Sequence, residues 1–219
     1  MIKTVLLTGF EPFNQATINP AWEAVRALEG WQGEIDGHRF RVEVRQLPCV
    51  FGQANQSIAA MVDELHPDVV IAVGQAGGRA EISVERVAIN VDDASILDNG
   101  AQQPVDTRIV EDGPAAYFST LPIKAIVRAL REQGLIAGVS QTAGTFVCNH
   151  VFYGLMHHTA GQAIKAGFIH VPFLPEQAAQ RPDAPASMAL DDIIAGIRAA
   201  VEVTLAVDAD VRDIGGATH

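Results

Sequence analysis

Short apolar runs alternating with amphipathic helical segments dominate this chain, and that alternation limits what it can fold into. Val5, Leu6 and Leu7 make residues 4–8 a continuously apolar strand of the kind buried on both faces. Asn19 before Pro20 predicts an N-cap and a first helical position, opening a helix through Leu28 with Trp22, Val25 and Leu28 inward. Residues 40–47 alternate apolar and polar, a half-buried strand. Residues 51–65 read as a second helix, with Ile58, Met61, Val62 and Leu65 on one side. Residues 68–74 form another apolar strand. Residues 82–89 alternate again, with Ser83, Glu85, Val87 and Ile89 on one face. A helix over 124–133 ends at Gly134, a strand spans 166–171, and Ser187 is expected to cap a last helix carrying Leu190, Ile194, Ile197, Val201 and Leu205.

About six strands alternating with about five helices predict an α/β fold: a single-domain, open twisted, largely parallel sheet with helices on both faces. A chain of 219 residues can bury a full core, so one domain over 1–207 is expected, with the tail from 208 to 219 frayed. Composition narrows the partners. The formal charge of −11 argues against nucleic acid and against anionic membrane surfaces. Two cysteines, Cys49 and Cys148, are too few for a disulfide framework and fit a reducing, cytoplasmic setting. The apolar start is broken by Glu11 and reads as a strand, not a signal peptide, and no run reaches the roughly 20 apolar residues of a membrane helix.

In open α/β sheets, sites lie off the carboxyl ends of strands. The stretch 138–150 starts as a β-like run, turns at Ala143-Gly144 and delivers Cys148 to the start of a helix whose face carries Val151, Phe152, Leu155 and Met156. Free backbone N–H groups there favour an anion, so the thiol is expected to ionise more easily. The competing reading is a small buried core residue. Glu85 on an apolar strand needs a partner, a job or solvent. His170, at the end of 166–171, is either a core histidine or a base. Cysteine, histidine and carboxylate together form a recurring catalytic unit. Gly74-Gln75-Ala76-Gly77-Gly78 follows a strand but lacks phosphate-loop spacing. Cys148, His150, His157 and His158 invite a zinc reading that their spacing does not support, and Asp92, Asp93 and Asp98 fit a solvated loop better than an ion site. The long polar segment 91–121 suggests a functional or assembly element.

Several stretches resemble the type I pyroglutamyl peptidases, a cysteine peptidase family. They are Leu7-Thr8-Gly9-Phe10-Glu11-Pro12-Phe13 with Asn19-Pro20-Ala21-Trp22, then Gly74-Gln75-Ala76-Gly77-Gly78-Arg79 through Ser83-Val84-Glu85-Arg86-Val87-Ala88-Ile89-Asn90. Val139-Ser140-Gln141-Thr142-Ala143-Gly144-Thr145-Phe146-Val147-Cys148-Asn149 and Phe168-Ile169-His170-Val171-Pro172 complete the set. The resemblance implies removal of N-terminal pyroglutamate from peptides, with Cys148 as nucleophile, His170 as base and Glu85 orienting the imidazole. It implies no metal or organic cofactor. It assigns Phe10, Phe13, Asn19, Gln75, Phe146 and Val147 to substrate binding, the first two phenylalanines sandwiching the lactam, and it implies a homotetramer. Two positions depart from the family pattern. Asn14 stands where glycine is usual and is expected to tolerate φ > 0. Ser95 stands where the family has the arginine thought to act beside the oxyanion, which keeps open a catalytically weakened, lactam-binding relative.

Overall fold

The computed structural model describes residues 2–216. Strand β1 (Lys3–Phe10) is followed by helix α1 (Pro20–Arg26), β2 (Gln32–Ile35), β3 (His38–Leu47), α2 (Gln53–Leu65), β4 (Val69–Gln75), β5 (Ile82–Glu85), β6 (Val87–Ile89) and β7 (Ala116–Phe118). Then come α3 (Ile123–Glu132), β8 (Ala137–Ser140), α4 (Val147–His158), β9 (Lys165–Val171), the short α5 (Pro175–Ala178) and α6 (Leu190–Ala206). Seven strands form one sheet in the order β2-β3-β1-β4-β9-β5-β8, and β6 pairs with β7 in a separate ribbon.

The expected largely parallel α/β sheet is present. Strands β3, β1, β4 and β9 run parallel to one another, and β5 is parallel to β8. Antiparallel pairing enters at β2–β3 and β5–β9. Side-chain alternation sorts the two faces. Val5, Leu7, Ile71, Val73, Ile169 and Val171 pack with α1, α3 and α6. Leu6, Val70, Ala72, Ala166 and Phe168 pack with α2 and α4.

Three local expectations change. The run 82–89 is not one strand: it breaks at Arg86, whose N–H donates to Ser140 O while its carbonyl accepts from Ser119, so Glu85 does not share a face with Val87 and Ile89. Strand β2 was not foreseen; it returns through Asp36-Gly37, with φ of 50° and 77°, the turn chemistry of a tight hairpin. Helix α6 starts after Ala189, not Ser187, which instead bridges to Phe173. Asp191 and Asp192 supply negative charge to that helix start in place of a cap.

The tail expected to fray is docked as far as it is described; residues 217–219 lie outside the described part. Asp210 accepts from the backbone N–H groups of Lys124 and Ala125 at 3.1 and 2.9 Å, capping α3 from a distance in sequence. The Gly215 carbonyl accepts from Arg86 and Gln141. Losing the remote cap in Asp210→Ala should cost about 0.5–2 kcal/mol. Urea unfolding measures this, and an unchanged midpoint would mean the tail contributes nothing to α3.

Candidate active site

Parallel pairing aligns Gly74 on β4 with His170 on β9, both facing the α2/α4 side of the sheet. A Cβ placed on Gly74 would meet Cys148 Sγ at 2.8 Å and Phe168 Cζ at 2.8 Å. The sulfur therefore occupies the space that a missing side chain leaves beside His170. Cys148 is the second residue of α4, as the sequence implies, and half-buried.

His170 is 3% exposed and Glu85 fully buried, with Nδ1 2.7 Å from Glu85 Oε1. A carboxylate only accepts, so Nδ1 carries a hydrogen and Nε2 is left with a lone pair. The structure thus joins Glu85 to His170 and puts Cys148 over the same strand pair. Glu85 reaches this point as the last residue of β5, which runs parallel to β8 but antiparallel to β9.

The expected easy ionisation of Cys148 is not what the surroundings favour. Burial pushes the thiol up, Cys49 and Glu85 push the same way, and Arg79 opposes them. Desolvation favours the protonated form of the group, against the pull of the helix terminus. The Cys49 thiol is pushed up to about 12 by burial, then by Glu11 and Asp98.

The first turn of α4 is pinned to the segment after β6. Asn149 accepts from Ile89 N–H at 3.0 Å and donates to Ile89 O and Val91 O. Thr145 Oγ1 donates to Asp93 O at 2.7 Å. His150 Nδ1 lies 2.8 Å from Asp92 Oδ2, and its Nε2 accepts from Gly52 N–H at 2.9 Å. Both ring nitrogens of His150 are thereby committed. Asp98 accepts from the Phe51, Gly100 and Gln102 backbones. Ser95 is exposed, two residues beyond the Asp93 anchor.

Of the residues assigned to binding, Phe13, Phe146 and Gln75 are partly open. Phe13 and Phe146 have ring centroids 6.1 Å apart, and Phe51, which sequence reasoning placed only in a helix, backs Phe146 edge-on at 5.3 Å. Gln75 accepts from Gln177 Nε2 at 3.1 Å. Two of the assigned apolar residues are buried. Phe10 is not displaced from the core by its Gly/Pro neighbours: it ends β1, is 2% exposed and packs on Phe168. Val147 is 0% exposed and belongs to the same apolar cluster. Asn19 caps α1 as expected, accepting from Ala21 N–H and donating to Glu11 O, which orders the loop carrying Phe13. Asn14 takes φ of 51°, the conformation expected of it.

One residue at the centre was not foreseen. Arg79 Nη1 donates to Glu85 Oε1 at 2.7 Å and to Ser140 Oγ at 3.3 Å, and Nη2 donates to Thr142 O at 3.0 Å. Its only sequence signal was a cation following the glycines after β4.

A thiol at a helix start, an imidazole on the adjoining strand pair and a buried carboxylate on that imidazole are the groups of a cysteine hydrolase, here on an α/β sheet. The model of the pyroglutamyl peptidase family matches residues 3–207, and the chain belongs to that family. A pyrrolidone-carboxylate peptidase of Cupriavidus pinatubonensis is 62% identical over 221 residues, covering 100% of both chains. One from Bacillus cytotoxicus is 56% identical, again over 100% of each. The crystal structure of Bacillus amyloliquefaciens pyroglutamyl peptidase I superimposes with a TM-score of 0.90 at 44% identity, covering 95% of this chain and 100% of that one. A mutant pyrrolidone carboxyl peptidase from Pyrococcus furiosus gives 0.87 at 42% identity, with 92% and 98% covered.

Proposed function

We propose that this chain removes pyroglutamate from peptide N-termini by thiol-mediated hydrolysis of the amide that follows the lactam ring. The observation that carries the reading is the Glu85–His170 pair beside the Gly74-accommodated sulfur of Cys148, in a chain matched to the family over residues 3–207. Cys148 Sγ attacks the pyroglutamyl carbonyl while His170 Nε2 takes the thiol proton. Glu85 stabilises the imidazolium. The Cys148 backbone N–H, at the start of α4, receives the developing oxyanion. Collapse expels the amine, which takes the proton from His170, and leaves a thioester. Water, deprotonated by His170, then releases pyroglutamate and restores the thiol.

The lactam is small, flat and uncharged, which suits the partly open Phe13–Phe146 pair, with Phe51 behind and Gln75 offering an amide. Asn19 acts by ordering the Phe13 loop. The reading of a weakened lactam binder gains no support over hydrolysis: the relatives matched along the whole chain are named as peptidases. Release of a chromophore from a pyroglutamyl amide, with proline and glutamine amides as controls, tests the proposal; equal rates on all three would overturn it.

Phe13→Ala should raise KM and lower kcat/KM by the equivalent of about 1–3 kcal/mol, the apolar contact of one aromatic wall. Steady-state kinetics and a melting curve check it. A large drop in Tm with unchanged kinetics would make Phe13 a packing residue.

The proposal extends to assembly and location. A homotetramer is supported by exposed apolar side chains on and beside the 91–121 segment, Phe118 at 69% and Val105 at 68%. Light scattering after size exclusion reads the mass. Cytoplasmic residence is supported by two free cysteines. Among the described residues no helix is long and apolar enough to cross a membrane.

A further inference from the structure

We infer that Arg79 is a positioning residue of this site, one guanidinium that fixes both the carboxylate behind His170 and the loop that delivers Cys148. The inference rests on the hydrolytic reading above. Glu85 is fully buried, and its Oε1 accepts from His170 Nδ1 and Arg79 Nη1, both at 2.7 Å. Its Oε2 is buried with no hydrogen-bond partner among the described residues. The orientation of the carboxylate is therefore set entirely at one oxygen, held from two sides. Without Arg79, nothing distinguishes Oε1 from Oε2 except the imidazole itself, and the carboxylate is free to turn.

The same guanidinium reaches across to Ser140 Oγ and Thr142 O. Those residues open the connection from β8 to α4, the segment that ends at Cys148. Ser140 in turn donates to Thr142 O at 3.0 Å, so the anchor point is itself ordered. Arg79 thus links base and nucleophile, which arrive on different elements with no shared strand.

Charge adds to position. A fully buried carboxylate is tolerated when a cation meets it, and Arg79 is the ion-pair partner with full charge at Glu85. It is also the group that opposes the raising of the Cys148 thiol by burial, Cys49 and Glu85. When the proton moves to His170, Glu85 faces two cations, both already in hydrogen-bond contact, and no group has to reorient. Arginine does this where lysine cannot, because its planar fork serves two acceptors in fixed directions, whereas an ammonium is a point charge. Ser95, exposed at the position where the resemblance led us to expect an arginine, leaves Arg79 as the guanidinium at this centre.

The experiment compares wild type, Arg79→Gln and Arg79→Lys on one pyroglutamyl amide, alongside Tm and the rate at which iodoacetamide labels Cys148 without substrate. Arg79→Gln should lose on the order of 10²-fold in kcat with KM changed less than about threefold, a share of what a positioned base supplies. Arg79→Lys, keeping the charge but not the fork, should recover about tenfold of that loss. Labelling of Cys148 should slow in the same order, which reads the thiol and base without reference to the lactam. A kcat in Arg79→Gln within about threefold of wild type overturns the inference. So does equal impairment of both variants accompanied by a fall in Tm, the mark of a residue that only holds the 140–146 loop. Should Arg79→Gln not fold, an unchanged kcat in Arg79→Lys overturns the two-armed role. Wild type that labels at Cys148 but ignores the pyroglutamyl amide would refute the substrate assignment; the labelling order alone would then decide the role of Arg79.

Discussion

Cys148→Ala should fold and melt like wild type and release no product from a pyroglutamyl amide, a loss on the order of 10⁶ in kcat, as when the nucleophile of a cooperating triad is removed. The side chain is half-buried over Gly74, and removing one sulfur leaves a void too small to threaten the core. Cys148→Ser should be nearly as inactive, since a hydroxyl gives up its proton far less readily than a thiol. Iodoacetamide should inactivate wild type by labelling Cys148 ahead of Cys49, because Cys148 is half-buried whereas Cys49 is only 3% exposed. Because burial pushes the Cys148 thiol up, its labelling rate should keep climbing from neutral into strongly alkaline pH. A rate already level at neutral pH would mean that the resting group is a thiolate. Full turnover by Cys148→Ala would end the mechanism.

Gly74→Ala should impair both turnover and stability. Its Cβ would lie 2.8 Å from Cys148 Sγ and within 2.9 Å of the Phe168 ring, closer than real contacts allow. Phe168 is fully buried and its ring lies 4.9 Å from that of His170, so it cannot yield without moving the imidazole. The sulfur or the base must shift. Overpacking should cost about 1–3 kcal/mol of stability, and a displacement near 1 Å about 10² in kcat. Steady-state kinetics beside urea unfolding separate the two. Unchanged kcat in a folded variant would remove the sulfur from this strand pair.

Much of this architecture is readable from local pattern. The apolar run around Val5–Leu7, the Asn19–Pro20 helix start and the α4 face are set by nearest-neighbour chemistry, and each stands where that chemistry puts it. Pairing is a different matter. Residues 82–89 alternate without interruption, yet Glu85 ends a strand of the main sheet while Val87 starts a ribbon with β7. Nothing in an alternating run tells which neighbour each half will find. Phe10 shows the same limit: glycine and proline nearby suggest a loop, but pairing with β3 extends β1 through it and buries the ring.

The sequence by itself determined the class of sheet and its two helix-covered faces, because periodicity and capping act over a few neighbours. Only the tertiary structure decided that β5 runs antiparallel to β9, that burial pushes the Cys148 thiol up, and that Arg79 meets Glu85. Those three depend on which distant segments come together and how much water they exclude. Desolvation and long-range charge are properties of that assembly, and no spacing along the chain encodes them.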